Sequence, residues 1–160
     1  MLVDIRIDEG AWDAAPPDRR REWRHLIDEL LQQQTSDQED PLRLIIAPAF
    51  AGTIRLGLET VDGYPLRELG LPLKVLRPHF EEYADICDQL ATVPEGVSSS
   101  RLEALDMGKR VVHDRAAKTL LEHCGSVVRD PRTARNFFSL LVSLHTDRDP
   151  ILRGGAGRLD

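Results

Sequence analysis

The sequence has few cysteines, few aromatic residues and no long apolar run. Its 160 residues include two cysteines, Cys87 and Cys124, which fall in separate predicted helices and outside any metal-type or redox-type pair. We therefore expect reduced, mostly buried thiols. No run approaches the ~20 apolar residues that span a bilayer, and the N-terminus lacks the basic and apolar regions of a signal peptide. These absences predict a cytoplasmic protein with no membrane partner.

The chain also lacks an excess of positive charge, because its 27 acidic residues outnumber its 21 basic ones. The formal net charge is −6, which argues against a nucleic-acid partner despite a local basic cluster at residues 19–24. No Gly-rich phosphate loop precedes a helix, and the candidate metal ligands lack the compact spacing of a zinc or iron site, so we expect no cofactor and no metal. These candidate ligands are His79, Glu82, Cys87 and His145, alongside His113. At the end of the last predicted helix, His145 is expected as a favourable charge near the negative end of the helix dipole.

The composition is that of a folded domain. Charged residues make up 30% of the chain and hydrophobic residues 41%, and this length can bury a core without disulfides or metals. We expect a single domain over residues 1–148. Residues 149–160 form an Arg/Gly tail that has too little apolar content to order and is expected to be flexible.

Hydrophobic periodicity places the elements along this domain. Alternation predicts strands over 2–7, 42–47 and 53–61, and helical spacing predicts helices over 16–34, 73–91, 100–124 and 130–145. Phe50-Ala51-Gly52 predicts an antiparallel hairpin between the second and third strands. The fold class is therefore α+β: a small antiparallel sheet with an N-terminal helix, packed on a C-terminal three-helix bundle.

The candidate chemistry lies on the helix over 100–124. At 100° per residue Asp106, Arg110 and His113 share one face, beside an apolar flank. That flank consists of Leu102, Leu105, Val112, Ala116 and Leu120. We expect Asp106 and Arg110 to form a partly buried ion pair that fixes the guanidinium as an anion clamp, while His113 transfers protons. His113 and Asp106 are thus the predicted catalytic residues, and Arg110 binds the substrate.

Three further residues complete the predicted site. Tyr83, Arg135 and Ser139 are assigned to substrate binding, although Tyr83 also suits a plain core position on its helix. Ser139 belongs to a polar stripe on the otherwise apolar last helix. This stripe, which faces either water or a polar surface such as the Asp106 cluster, comprises Arg132, Asn136, Ser139 and Ser143.

Three segments carry a family resemblance. They are residues 83–88, residues 102–110 with His113, and residues 130–145. Together they resemble the UPF 0262 family of uncharacterised bacterial proteins, from about residue 42 to residue 145. The most specific part is Asp-Met-Gly-Lys-Arg at 106–110, followed by His113. The chain departs from the family pattern at Val111-Val112, where Gly-Leu is usual, and the resemblance implies no settled activity.

Two functions follow from these observations. The first is a small cofactor-independent acid/base enzyme, an isomerase, lyase or cyclase, that acts on an anionic small molecule. The alternative is a non-catalytic protein-interaction or regulatory module in which Asp106, Arg110 and His113 form a structural cluster or dock a partner. The partners left open are an anionic small molecule and a second copy of the chain in a homodimer. An enclosed pocket reached by His113 would favour the first, and an exposed apolar groove the second.

Overall fold

A computed structural model describes residues 1–34 and 40–146. The strands are β1 (Leu2–Ile7), β2 (Leu42–Phe50), β3 (Thr53–Thr60) and β4 (Pro65–Pro72). The helices are α1 (Glu9–Ala14), α2 (Pro17–Gln32), α3 (Leu73–Ala91), α4 (Ser99–Cys124) and α5 (Pro131–His145). The predicted α+β class is confirmed. The tail at 149–160 lies outside the described residues.

The four strands form one sheet in the order β1-β2-β3-β4. The antiparallel pairing predicted for the sheet holds for β2, β3 and β4, but β1 runs parallel to β2, so the sheet is mixed. The physical reason is the connection: α1 and α2 lie between β1 and β2, and a chain that crosses over through a helix returns in the same direction. The β2–β3 hairpin is confirmed. Its turn places Ala51 and Gly52 at φ 52° and 81°, the left-handed geometry of a tight hairpin turn.

Two elements were absent from the prediction. Strand β4 is an edge strand with proline at both ends and side chains exposed over most of its length, so it carries little alternation. Helix α1 has only six residues and buries none of them completely. Both elements are held by their neighbours in the fold, which local periodicity does not reveal.

The core lies between one face of the sheet and the helices. Fully buried residues of the central strands point to this face: Leu44, Ile46, Ile54 and Leu56. The opposite face is polar, and on it Nε of Arg43 lies 2.9 Å from the Asp4 carboxylate. Helix α5 packs against α2 and α4. Its Phe137 and Phe138 are fully buried, as expected for the central helix of the core.

Helices α3 and α4 extend beyond this core. Ala84 is the last buried residue of α3, Val112 is the first of α4, and no residue at 85–111 is fully buried. We call residues 85–111 the arm. The first three and a half turns or so of α4, at 99–111, therefore contact α3 but have no core beneath them.

Within the part of the chain that the structure describes, no helix is both long and apolar enough to cross a membrane.

Candidate functional site

His113 lies at the base of the arm, half-buried on α4. Its Nδ1 is 3.2 Å from the backbone carbonyl of Lys109, one turn earlier. Because a carbonyl only accepts hydrogen bonds, Nδ1 carries the proton of the neutral ring. The other ring nitrogen, Nε2, is then the acceptor, and it lies 3.2 Å from Oγ of Ser139 on α5. The helix thus fixes the tautomer, and the hydroxyl faces the basic nitrogen.

The proton of the Ser139 hydroxyl has two hydrogen-bond acceptors within reach. It can donate to Nε2 of neutral His113, or to the carbonyl of Arg135, which lies 3.3 Å from Oγ. When His113 is protonated, Nε2–H donates to Oγ, and the hydroxyl proton turns to the Arg135 carbonyl. Both protonation states of the imidazole therefore keep both of their hydrogen bonds.

Aromatic rings enclose the imidazole. Tyr83 on α3 meets it edge-on at 4.9 Å between ring centroids, and Phe138 meets it at 5.5 Å. This burial lowers the pKa of His113, and the nearby charges of Lys109 and Arg135 lower it further, while the hydrogen bond to the Lys109 carbonyl and the charge of Asp114 oppose the change. The lowered pKa favours the neutral form of His113 near pH 7.

Two cations stand beside the ring. Nζ of Lys109 lies 5.7 Å from the centroid of the Tyr83 ring, a cation–π contact between two half-buried residues. The guanidinium of Arg135 is paired with Asp114 at 3.0 Å, and both side chains are largely exposed. Since such surface pairs are weak, an anion of suitable geometry can compete with Asp114 for Arg135.

The predicted ion pair between Asp106 and Arg110 is wrong. Both residues are exposed, and neither has a hydrogen bond or ion pair to any residue that the structure describes. The cause is the extent of α5, because buried packing on α4 begins only at Val112. Leu102, placed on the apolar flank, is likewise 40% exposed.

The other predicted site residues do come together. Tyr83, His113 and Ser139 are in contact at the base of the arm, and Arg135 lies at its edge. Sequence reasoning missed Lys109 and Phe138. The signal for Lys109 was its position one turn before His113 on the same helix, a spacing that brings two side chains together. Phe138 is next to Ser139 in α5, and no feature of the sequence marked it as a site residue.

His145, half-buried at the end of α5, has a different environment. The Ala49 backbone N–H donates to Nε2 of His145 (2.8 Å), and Nδ1 donates to the Leu141 carbonyl (2.8 Å). Burial lowers the pKa of His145, so the ring is neutral. The predicted charge at the helix end is therefore wrong, because the backbone N–H of β2 requires an unprotonated acceptor.

Other candidate chemistry is limited. Across residues 1–34 and 40–146, no three His, Cys, Asp or Glu side chains are grouped so as to hold a metal ion. Burial raises the pKa of the Cys124 thiol to about 12, which makes it inert. Two open clefts of about 610 and 600 Å³ lie elsewhere, one near Lys74 and Arg77 and the other near Trp12.

The geometry defines a class: an α+β protein in which a neutral histidine is held between two helices and faces a hydroxyl. Sequence comparison gives the family. The sequence model of an uncharacterised protein family, UPF0262, matches residues 1–147, and the chain belongs to that family. A UPF0262 protein of Rhodospirillum rubrum is 31% identical over 150 residues, covering 90% of this chain and 91% of the relative.

Two further relatives match this chain over a similar length. A UPF0262 protein of Methylobacterium radiotolerans is 29% identical over 148 residues, covering 90% of this chain and 92% of the relative. One of a Chelativorans species is 30% identical over 153 residues, covering 92% and 94%. No solved structure matches the chain.

Proposed function

We propose that this protein is a small cofactor-independent enzyme in which His113 is the general base for an anionic small molecule. The observation that supports this most directly is the Ser139 hydroxyl. It bonds to Nε2 of His113 but also has an alternative acceptor in the Arg135 carbonyl.

The proton transfer follows from these contacts. Oγ of Ser139 takes a proton from the substrate as its own hydroxyl proton passes to the lone pair of Nε2, and the proton gained by Oγ turns to the Arg135 carbonyl. The imidazolium that forms keeps its Nδ1–H bond to the Lys109 carbonyl, and Tyr83 and Phe138 hold the ring in place. The proton then returns to another atom of the substrate in an isomerase, or to the leaving group in a lyase or cyclase.

The substrate class follows from the charges. Lys109 and Arg135 place positive charge beside His113, which suits a carboxylate or a phosphate. Asp106 and Arg110, predicted as second catalytic residue and anchor, contact none of these groups, and the proposal does not depend on them. A cytoplasmic location belongs to the same proposal.

Hydrogen exchange tests the base without knowledge of the reaction. A panel of small carboxylates and phosphate monoesters is incubated with the protein in D₂O, and loss of substrate C–H signals is followed by NMR. We expect exchange in at least one compound, abolished in His113→Gln and strongly reduced in Ser139→Ala. Exchange that persists in His113→Gln, or none across the panel, would contradict the proposal.

Binding is tested separately with inorganic phosphate. We expect phosphate to raise the pKa of His113, because a neighbouring negative charge favours the imidazolium. The shift should disappear in Arg135→Gln and grow in Asp114→Asn, which frees Arg135 from its present partner. An identical shift in all three proteins would exclude Arg135 as the anion site.

The alternative function, an interaction or regulatory module, is favoured by a different observation. The arm carries exposed apolar side chains and two charged residues, Asp106 and Arg110, that have no partner among the described residues. This surface does not involve His113, so an interaction there is compatible with either function.

A further inference from the structure

The arm exposes more apolar surface than the rest of α4. Met107 is 56% exposed and Val111 is 39% exposed, although α4 buries several residues completely from Val112 onward. Exposed apolar residues that lie close together on a segment without a core beneath it are candidates for a surface that another molecule covers.

Four residues form one outward strip along the arm. Glu103, Asp106, Met107 and Arg110 are all exposed, and their spacing of three, four and seven residues places them within about 100° of one another around the helix. At the centre of the strip Asp106 comes first along the chain, Met107 follows, and Arg110 comes last. Asp106 and Arg110 are one turn apart but form no ion pair with each other.

We propose that this strip docks a second copy of the chain, with two α4 helices antiparallel about a two-fold axis at the level of residue 108. In that arrangement each Asp106 lies at the height of Arg110 of the other copy, because both residues are two positions from the axis level. The two copies of Met107 meet beside the axis. The result is an apolar centre flanked by two equivalent ion pairs.

The order of the two central charges fits this occupant. A symmetric interface brings each residue against the counterpart at the same distance on the other side of the axis, and only a self-complementary order satisfies that requirement. Asp106 and Arg110 have it in the antiparallel arrangement. A parallel pairing would place Asp106 against Asp106 and Arg110 against Arg110, which is unfavourable.

Charge exchange tests the arrangement. By sedimentation at moderate salt we expect the unmodified chain to dimerise, and Asp106→Arg and Arg110→Asp each to raise the dissociation constant by about tenfold or more. The double variant restores the dimer. An equimolar mixture of the two single variants also restores it, since one chain is then positive at both positions and the other negative at both. An intrachain pair between positions 106 and 110 would not respond to mixing.

A matched control lies on the same helix. Arg101 is exposed and nine residues before Arg110, which places it about 180° around the helix. Arg101→Asp makes the same change of charge as Arg110→Asp and should leave the dimer intact, as should His113→Gln. A monomeric wild-type chain, equal weakening by Arg101→Asp, or failure of the mixed variants to associate would overturn the proposal. Circular dichroism confirms that each variant is folded.

Discussion

His113 and His145 are two histidines with the same attachment to their helices. Each Nδ1 donates to the carbonyl four residues earlier, Lys109 in one case and Leu141 in the other. Each ring packs against phenylalanine, and burial lowers both pKa values. Up to this point the two sites are equivalent.

They differ in the partner of Nε2. His113 faces the Ser139 hydroxyl, which donates or accepts, whereas His145 faces the Ala49 backbone N–H, which only donates. His113 can therefore gain a proton and keep its hydrogen bonds, while protonated His145 would lose the bond that joins α5 to β2. The comparison indicates that one partner atom separates a histidine suited to proton transfer from one suited to structure.

The largest expected effect is a loss of stability in His145→Phe. Phenylalanine keeps the stacking on Phe80 but removes the acceptor, so the Ala49 N–H loses its partner, which costs about 1–3 kcal/mol. The matched change His113→Phe leaves only a hydroxyl that already has the Arg135 carbonyl as acceptor. We expect it to cost less than about 1 kcal/mol by urea unfolding. Equal losses in the two variants would contradict the comparison.

The second prediction concerns acid. Both histidines have a pKa below the ordinary value of 6.5 in the folded state. Below that value the unfolded chain binds more protons than the folded chain, so their contribution to stability is complete above pH 6.5 and is lost as the pH falls through the folded pKa. The urea midpoint should therefore fall on acidification, and fall less in His145→Phe.

Nitrogen NMR separates the two residues in the same titration. We expect Nε2 of His113 to protonate while the protein is still folded, because Ser139 can accept from it. Nε2 of His145 should stay unprotonated until the protein unfolds. Protonation of His145 in the folded state, with the Ala49 bond intact, would be inconsistent with the assigned tautomer.

Much of the fold could be predicted because its helices and strands follow the local spacing of apolar residues. The long helices and the β2–β3 hairpin have strong apolar patterns, and the parallel β1 was the main error of topology. The spacing of residues predicts which of them share a face of a helix, but it does not predict how far along that helix a neighbouring helix packs. Asp106, Arg110 and His113 do share a face, yet only His113 lies where α5 covers α4.

The polar stripe of α5 shows the same limit. It was expected to face either water or another polar surface, and its residues in fact contact different partners. Ser139 meets His113, whereas Ser143 accepts from the Trp23 indole and donates to Glu22 on α2. His145 bonds to a backbone group 96 residues away in the chain, which no local pattern reports. Periodicity located the stripe, and the tertiary packing decided each partner.

A smaller effect is expected for Ser139→Ala. The hydroxyl is half-buried, and its removal leaves Nε2 of His113 without its donor, for a cost of about 0.5–1.5 kcal/mol. Hydrogen exchange into the substrate should fall much more than stability does. Ser139→Thr retains the hydroxyl and should recover most of the exchange. If it does not, the hydroxyl is not the feature that matters.

The smallest effect is expected for Asp106→Ala in the monomer. A buried ion pair at this position would make the substitution cost several kcal/mol, because the other charge would lose its partner. Asp106 is instead exposed and has no partner among the described residues, so the free energy of unfolding should change by no more than about 0.5 kcal/mol. The measurement is made at protein concentrations below dimer formation, with Asp106→Asn as control. A loss as large as that of His145→Phe would mean that the arm packs against the body of the protein, and that Asp106 belongs with His113 after all.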